Sequence, residues 1–149
     1  MIQRIQTIYL FVSAVLSVVA LCMPVGHFYT DTAVSQLTVL SVIASDATVD
    51  YTPWPLCALL SVSALLPFVA IFLYKTRMKQ IRVTAGGSVA LLLSVLAGII
   101  YVYSLSPAYG SFTPSWTVCL PLISLICNWL AIRGIRKDEK LVRSYNTIR

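Results

Sequence analysis

The side chains able to do chemistry are few in this chain, and their spacing brings no set of them together. Asp46 and Asp50 are carboxylates four residues apart, the nearest approach to an acid–base pair, but they sit in a flexible-looking stretch with no sign of a cleft. His27, the one histidine, lies beside Phe28 and Tyr29 and reads as an interfacial side chain rather than a metal ligand. Cys22, Cys57, Cys119 and Cys127 form no CxxC or CxxH pair. They read as small buried hydrophobes, with one disulfide left open among Cys22, Cys57 and Cys119. Serines and threonines occur without a partner base. Enzymes need a nucleophile, a base or a metal set within mutual reach. The expectation is therefore no catalytic residue, no metal, no cofactor and no enzymatic activity.

The surroundings of these residues explain their isolation. Apolar residues make up 58% of the chain and charged residues only 11%, against about a quarter charged in a soluble globular protein. A chain of 149 residues cannot hide that much apolar surface in a water-soluble core, so the lipid bilayer is the expected solvent. The net charge is +6, yet the basic residues stand in short clusters directly beside apolar runs. That placement is the positive-inside pattern of membrane proteins, and it argues against nucleic-acid binding.

Four charge-free runs of spanning length organise the chain. They predict an all-α membrane protein, a single domain over 1–149, with four transmembrane helices arranged as two hairpins. The spans fall at about 5–24, 53–74, 83–105 and 114–132. The first is read as retained, because no Ala-x-Ala site precedes Pro24. Between the first two spans, residues 25–52 hold no Lys or Arg. Within them the β-branched run Leu37–Ile43 predicts a strand, hairpinned with His27–Thr32; a re-entrant or interfacial segment is the alternative. Thr52 and Pro53 are expected to open the second span as hydroxyl cap and first helical residue, and Pro67 to kink it. Thr113–Pro114–Ser115–Trp116 repeats this opening for the fourth span, after a short loop at 106–113.

The third and fourth spans carry the packing signals. Gly86, Ala90, Ser94 and Gly98 recur every four residues. Small side chains at this spacing let membrane helices approach closely, either within the chain or between copies. Ser124 and Asn128 share one face of the fourth span, where Asn128 is expected to hydrogen-bond a neighbouring helix.

All Lys and Arg residues lie in three places. Arg4 is at the start. Lys75, Arg77, Lys79 and Arg82 form the hinge at 75–82. Arg133, Arg136, Lys137, Lys140, Arg143 and Arg149 are in the tail at 133–149. With four spans, this puts both termini and the hinge in the cytoplasm and the two other loops outside. The basic face is expected to meet anionic lipid headgroups.

The two ends also carry a resemblance. The start, Met1–Leu10 (MIQRIQTIYL), and the stretch Arg133–Ser144 (RGIRKDEKLVRS) resemble the terminal signatures of a domain-of-unknown-function family. Its members are small four-helix membrane proteins of Bacteroidota. The resemblance implies a multi-pass protein of the bacterial inner membrane with no catalytic residues to carry over. The functional expectation is a structural or accessory subunit of a cell-envelope complex, with a second copy or an envelope protein as partner. A small transporter or channel-forming oligomer is the alternative.

Overall fold

The computed structural model describes residues 2–30, 33–44, 46, 48–73 and 76–147, with backbone alone at 2–4 and 140–147. Lys75 and Arg149 lie outside the described residues, as do the side chains of Arg4, Lys140 and Arg143. Four helices dominate: α1 (Ile2–Cys22), α2 (Trp54–Phe72), α3 (Arg77–Tyr109) and α4 (Cys119–Thr147). All four are long and apolar enough to cross a membrane, which is compatible with a multi-pass membrane protein. They close a ring in which α1 packs on α2 and α4, α2 on α3, and α3 more sparsely on α4.

A five-stranded antiparallel sheet caps one end of the bundle, so the fold is not purely helical. Its strands are β1 (Gly26–Thr30), β2 (Ala33–Leu37), β3 (Val42–Ile43), β4 (Val49–Asp50) and β5 (Ser111–Pro114), in the order β4-β3-β2-β1-β5. The expected hairpin with β1 forms, but its second strand is β2, with Phe28 opposite Ser35. The β-branched run Leu37–Ile43 is not one strand. Thr38 holds the Ser41 backbone at both ends (Thr38 N–H donates to Ser41 O at 2.9 Å, and Ser41 N–H donates to the Thr38 hydroxyl oxygen at 3.0 Å), turning the chain between β2 and β3.

The stretch expected as a loop at 106–113 is mostly ordered secondary structure. Helix α3 runs to Tyr109, and Ser111–Pro114 then pairs with β1. Gly110 makes the junction possible. Its φ is +90°, and a Cβ there would collide with the Tyr29 carbonyl oxygen. Likewise, Arg77 to Arg82 are not a linker but the first turns of α3.

The two helix openings also differ from expectation. Thr52 does not cap α2. Its N–H and hydroxyl both reach Asp50 Oδ1, at 3.0 and 2.6 Å, and Pro53 takes the cap position. Thr113 lies in β5 opposite His27, and a 3-10 turn at Trp116–Val118 leads into α4. The Thr-Pro pair with a tryptophan just after it, found at both places, therefore begins two different structures.

Three apolar layers fill the interior. Phe28, Leu37, Val42 and Leu105 pack beneath the sheet. Ala20, Val39, Leu56, Leu60, Leu91 and Leu120 fill the middle. Leu10, Ala70 and Ala131 close the far, basic end.

Candidate functional site

Polar groups inside the bundle come chiefly from small side chains. Ser13 and Ser17 of α1 and Ser124 of α4 are fully buried and form one cluster. The hydroxyls of Ser13 and Ser124 are 2.7 Å apart, and those of Ser17 and Ser124 3.0 Å. Ser13 and Ser17 were not singled out by sequence. Their four-residue spacing in an otherwise apolar span was the available signal, matching that of Ser124 and Asn128. One turn further along α4, Asn128 is fully buried but makes no hydrogen bond through Oδ1 or Nδ2, contrary to expectation. Gln6 Nε2 is buried and equally unpaired.

The small residues of α3 occupy different environments. Ala90 and Ser94 are buried against the bundle, Gly98 is half-buried with Leu56 Cδ1 3.9 Å from where its Cβ would be, and Gly86 is exposed. The closest approach is made by Gly87. A Cβ there would stand 3.2 Å from Pro67 Cδ and 3.3 Å from Leu66 Cβ. Pro67 itself is buried at this α2–α3 contact.

A cavity of about 510 Å³ lies between the bundle and the sheet, within the roughly 300–1,000 Å³ range of small-molecule sites. Its walls are mainly apolar and include Val39, Leu56, Gly98, Phe112 and Val118, with Ser94 among them. On the outward face of the sheet, Tyr29, Val34, Ile43 and Val49 are all exposed. Beside them, Asp50 accepts two bonds from Thr52, and the hydroxyl bond above all holds its carboxyl below the usual carboxylate range.

The opposite end of the bundle carries Arg77, Lys79, Arg82, Arg133, Arg136 and Lys137. Arg77 Nη1 lies 3.4 Å from Asp138 Oδ2, tying α3 to α4. The pair is separated by 61 positions, so no local pattern announced it. Arg133 lies over the Trp129 ring, 5.5 Å from its centroid.

A family model described as "Domain of unknown function (DUF4293)" matches residues 2–148. The chain belongs to the DUF4293 family. A comparison with curated proteins gives no match. The family assignment brings no catalytic role to any residue of this DUF4293 chain. Among its described residues there is no group of three or more His, Cys, Asp or Glu side chains placed to hold a metal ion. Its four cysteines are free thiols. What the DUF4293 fold does assemble is surfaces: a polar seam between α1 and α4, an apolar cavity under the sheet, an outward sheet face with four exposed apolar side chains and a basic end.

Proposed function

We propose that this protein is a structural or accessory subunit of a cell-envelope complex. It is held in the bacterial inner membrane by four spans, with both termini and the basic end in the cytoplasm. The concentration of Lys and Arg at one end supports this orientation, because arginines and lysines cross bilayers only at a cost of several kcal/mol each, about 2.5–3.5 on insertion scales.

The observation that carries the reading is the outward face of the sheet. An antiparallel sheet with one wet face normally alternates apolar-in with polar-out. Here Tyr29 stands opposite Val34 and Ile43 opposite Val49, all four exposed on one face. His27 and Gln36 lie between the two pairs on the same face, so the apolar exposure is two patches set in a polar surround, and exposed apolar groups rimmed by polar ones mark an interaction surface. The sheet edges are poorly suited to receive another strand. β4 is two residues long, and β5 ends at Pro114, which has no N–H to offer. A partner therefore covers the face instead of extending the sheet.

A photo-crosslinking residue placed at Val34 or Ile43 in cells tests this. Both positions should capture the same protein, Val69 on the exposed side of α2 should not, and Val34→Asp with Ile43→Asp should abolish co-purification. Isolation as a lone monomer with no crosslinked partner from either position would overturn the reading. Orientation is tested separately with an impermeant thiol reagent, in a background whose native cysteines are replaced by alanine. Val34→Cys should label in intact cells and Lys79→Cys only after lysis.

A further inference from the structure

Helices α3 and α4 pack more sparsely than the other neighbouring pairs in the ring. Toward the basic end a groove of about 410 Å³ runs between them, walled by Ala85, Ser88 and Leu92 of α3 and by Leu125, Trp129 and Ile132 of α4. A second depression of about 550 Å³ is formed by Trp129, Ile132, Arg133, Arg136 and Lys137. The two share Trp129 and Ile132, so they adjoin at those side chains and together trace a channel along the bundle surface. It is apolar in its membrane-embedded part and basic where α4 leaves the apolar layer.

The charges at its end are available. Among the described residues the one salt bridge is Arg77–Asp138, which removes the Asp138 carboxylate from competition. Glu139 is the remaining acid nearby and forms no salt bridge with Arg133, Arg136 or Lys137. Trp129, Arg133 and Arg136 recur at i, i+4 and i+7 and so share one face of α4. The Trp129 ring holds the Arg133 guanidinium in place through a cation–π contact. Tryptophan favours the depth of the headgroups, and guanidinium groups bind phosphate with paired donors.

We propose that this channel is a binding site for one anionic phospholipid. An acyl chain lies in the α3–α4 groove against Ser88 and Leu92, and the headgroup phosphate sits among Arg133, Arg136 and Lys137. A zwitterionic lipid would bring its own cation against three fixed ones, so the site selects a net negative headgroup. Basic pockets beside membrane helices commonly bind anionic headgroups in this way. What sets this one apart from a diffuse basic surface is the apolar groove leading directly into it. The proposal is independent of the partner assigned to the sheet face, which lies at the other end of the bundle.

The test uses the full chain in a mild detergent, with phosphatidylglycerol, phosphatidylcholine or glycerol 3-phosphate added. Binding is read by native mass spectrometry and by melting temperature. Phosphatidylglycerol should be retained as a one-to-one adduct, in preference to phosphatidylcholine by about tenfold or more, and should raise the melting temperature. Glycerol 3-phosphate, lacking the chain, should do neither. Replacing Arg133, Arg136 and Lys137 with glutamine should abolish the preference. Ser88→Phe keeps every charge but fills the groove, and it should lose the one-to-one adduct. Equal retention of both lipids by the unmodified chain would overturn the site without reference to any variant. So would an undiminished adduct in Ser88→Phe, which would reduce the effect to general surface attraction, or equal stabilisation by glycerol 3-phosphate.

Discussion

Ser13 and Ser124 face each other across the α1–α4 interface, with each hydroxyl in reach of both the other's hydroxyl and the other's backbone carbonyl. The oxygens are 2.7 Å apart, Ser124 Oγ donates to Ser13 O at 3.0 Å, and Ser13 Oγ donates to Ser124 O at 3.2 Å. A hydroxyl has one proton, so these are alternative bonds shared within one cluster rather than a sum. Ser13→Ala and Ser124→Ala should each destabilise the bundle by about 0.5–1.5 kcal/mol. The double variant should lose less than the two together, because each single change already removes the shared bond. Reversible unfolding in mixed micelles measures this, and strict additivity would show that the two side chains do not act together.

The glycine pair in α3 gives a sharper contrast. Gly87→Ala places a methyl group 3.2 Å from Pro67 Cδ and 3.3 Å from Leu66 Cβ, in a contact formed by the rigid proline ring and a side-chain root. It should cost about 1–3 kcal/mol. Gly86→Ala meets nothing nearer than Leu66 Cδ1 at 3.8 Å, so the gain in helix propensity should leave stability unchanged or raised by up to about 1 kcal/mol. Equal losses at both positions would contradict the packing described for α2 and α3.

This pair also shows where sequence was readable and where it was not. The charge-free runs mark the four long helices, since a span must be apolar along its length. A strict four-residue repeat, however, advances about 40° further than a full turn at each step. The stripe Gly86–Ala90–Ser94–Gly98 therefore winds around α3, starting exposed at Gly86 and reaching the bundle at Ala90 and Ser94. The buried face follows Gly87, Ala90, Leu91 and Ser94, at helical spacing. The sheet was half legible. The β-branched run Leu37–Ile43 announced a hairpin after α1 without marking its true second strand, Ala33–Leu37, while β5 joins β1 from more than eighty residues away, and Pro107 and Gly110 read locally as loop. The Arg77–Asp138 bridge is hidden for the same reason. At the candidate sites, the basic residues were plain in the sequence, while the groove beside Trp129 depends on the packing of α3 against α4.

Asn128 reverses the usual expectation for a polar residue in a membrane helix. Its amide is fully buried and neither polar atom finds a partner. A buried unsatisfied group costs about 1–3 kcal/mol, and leucine keeps the branched outline of the amide while removing both polar atoms. Asn128→Leu should stabilise the isolated protein by about 1 kcal/mol or more, measured in the same micelle unfolding assay. A loss of similar size would show that the amide is engaged in a contact made only in the bilayer or with another chain.

Gly110 joins the helical and sheet parts of the fold. Its N–H caps α3 by donating to Ser106 O at 2.9 Å. Its positive φ then turns the chain so that Ser111 and Phe112 pair with Tyr29 and Phe28. Alanine is disfavoured there twice over, by the backbone conformation and by Tyr29 O and the Thr30 hydroxyl, the latter 2.8 Å from the added carbon. Gly110→Ala should cost about 1–3 kcal/mol, and the loss should be local. β5 should detach from β1, and the Phe28–Phe112 contact, with centroids 5.0 Å apart, should open. Hydrogen exchange should then accelerate in β1 and β5 while α1 and α4 keep their protection. The control is Gly98→Ala, which meets only Leu56 Cδ1 at 3.9 Å and should leave the sheet intact. Unchanged protection of β5 in Gly110→Ala would mean that the strand is held by its own side chains, and that the left-handed turn at Gly110 is dispensable.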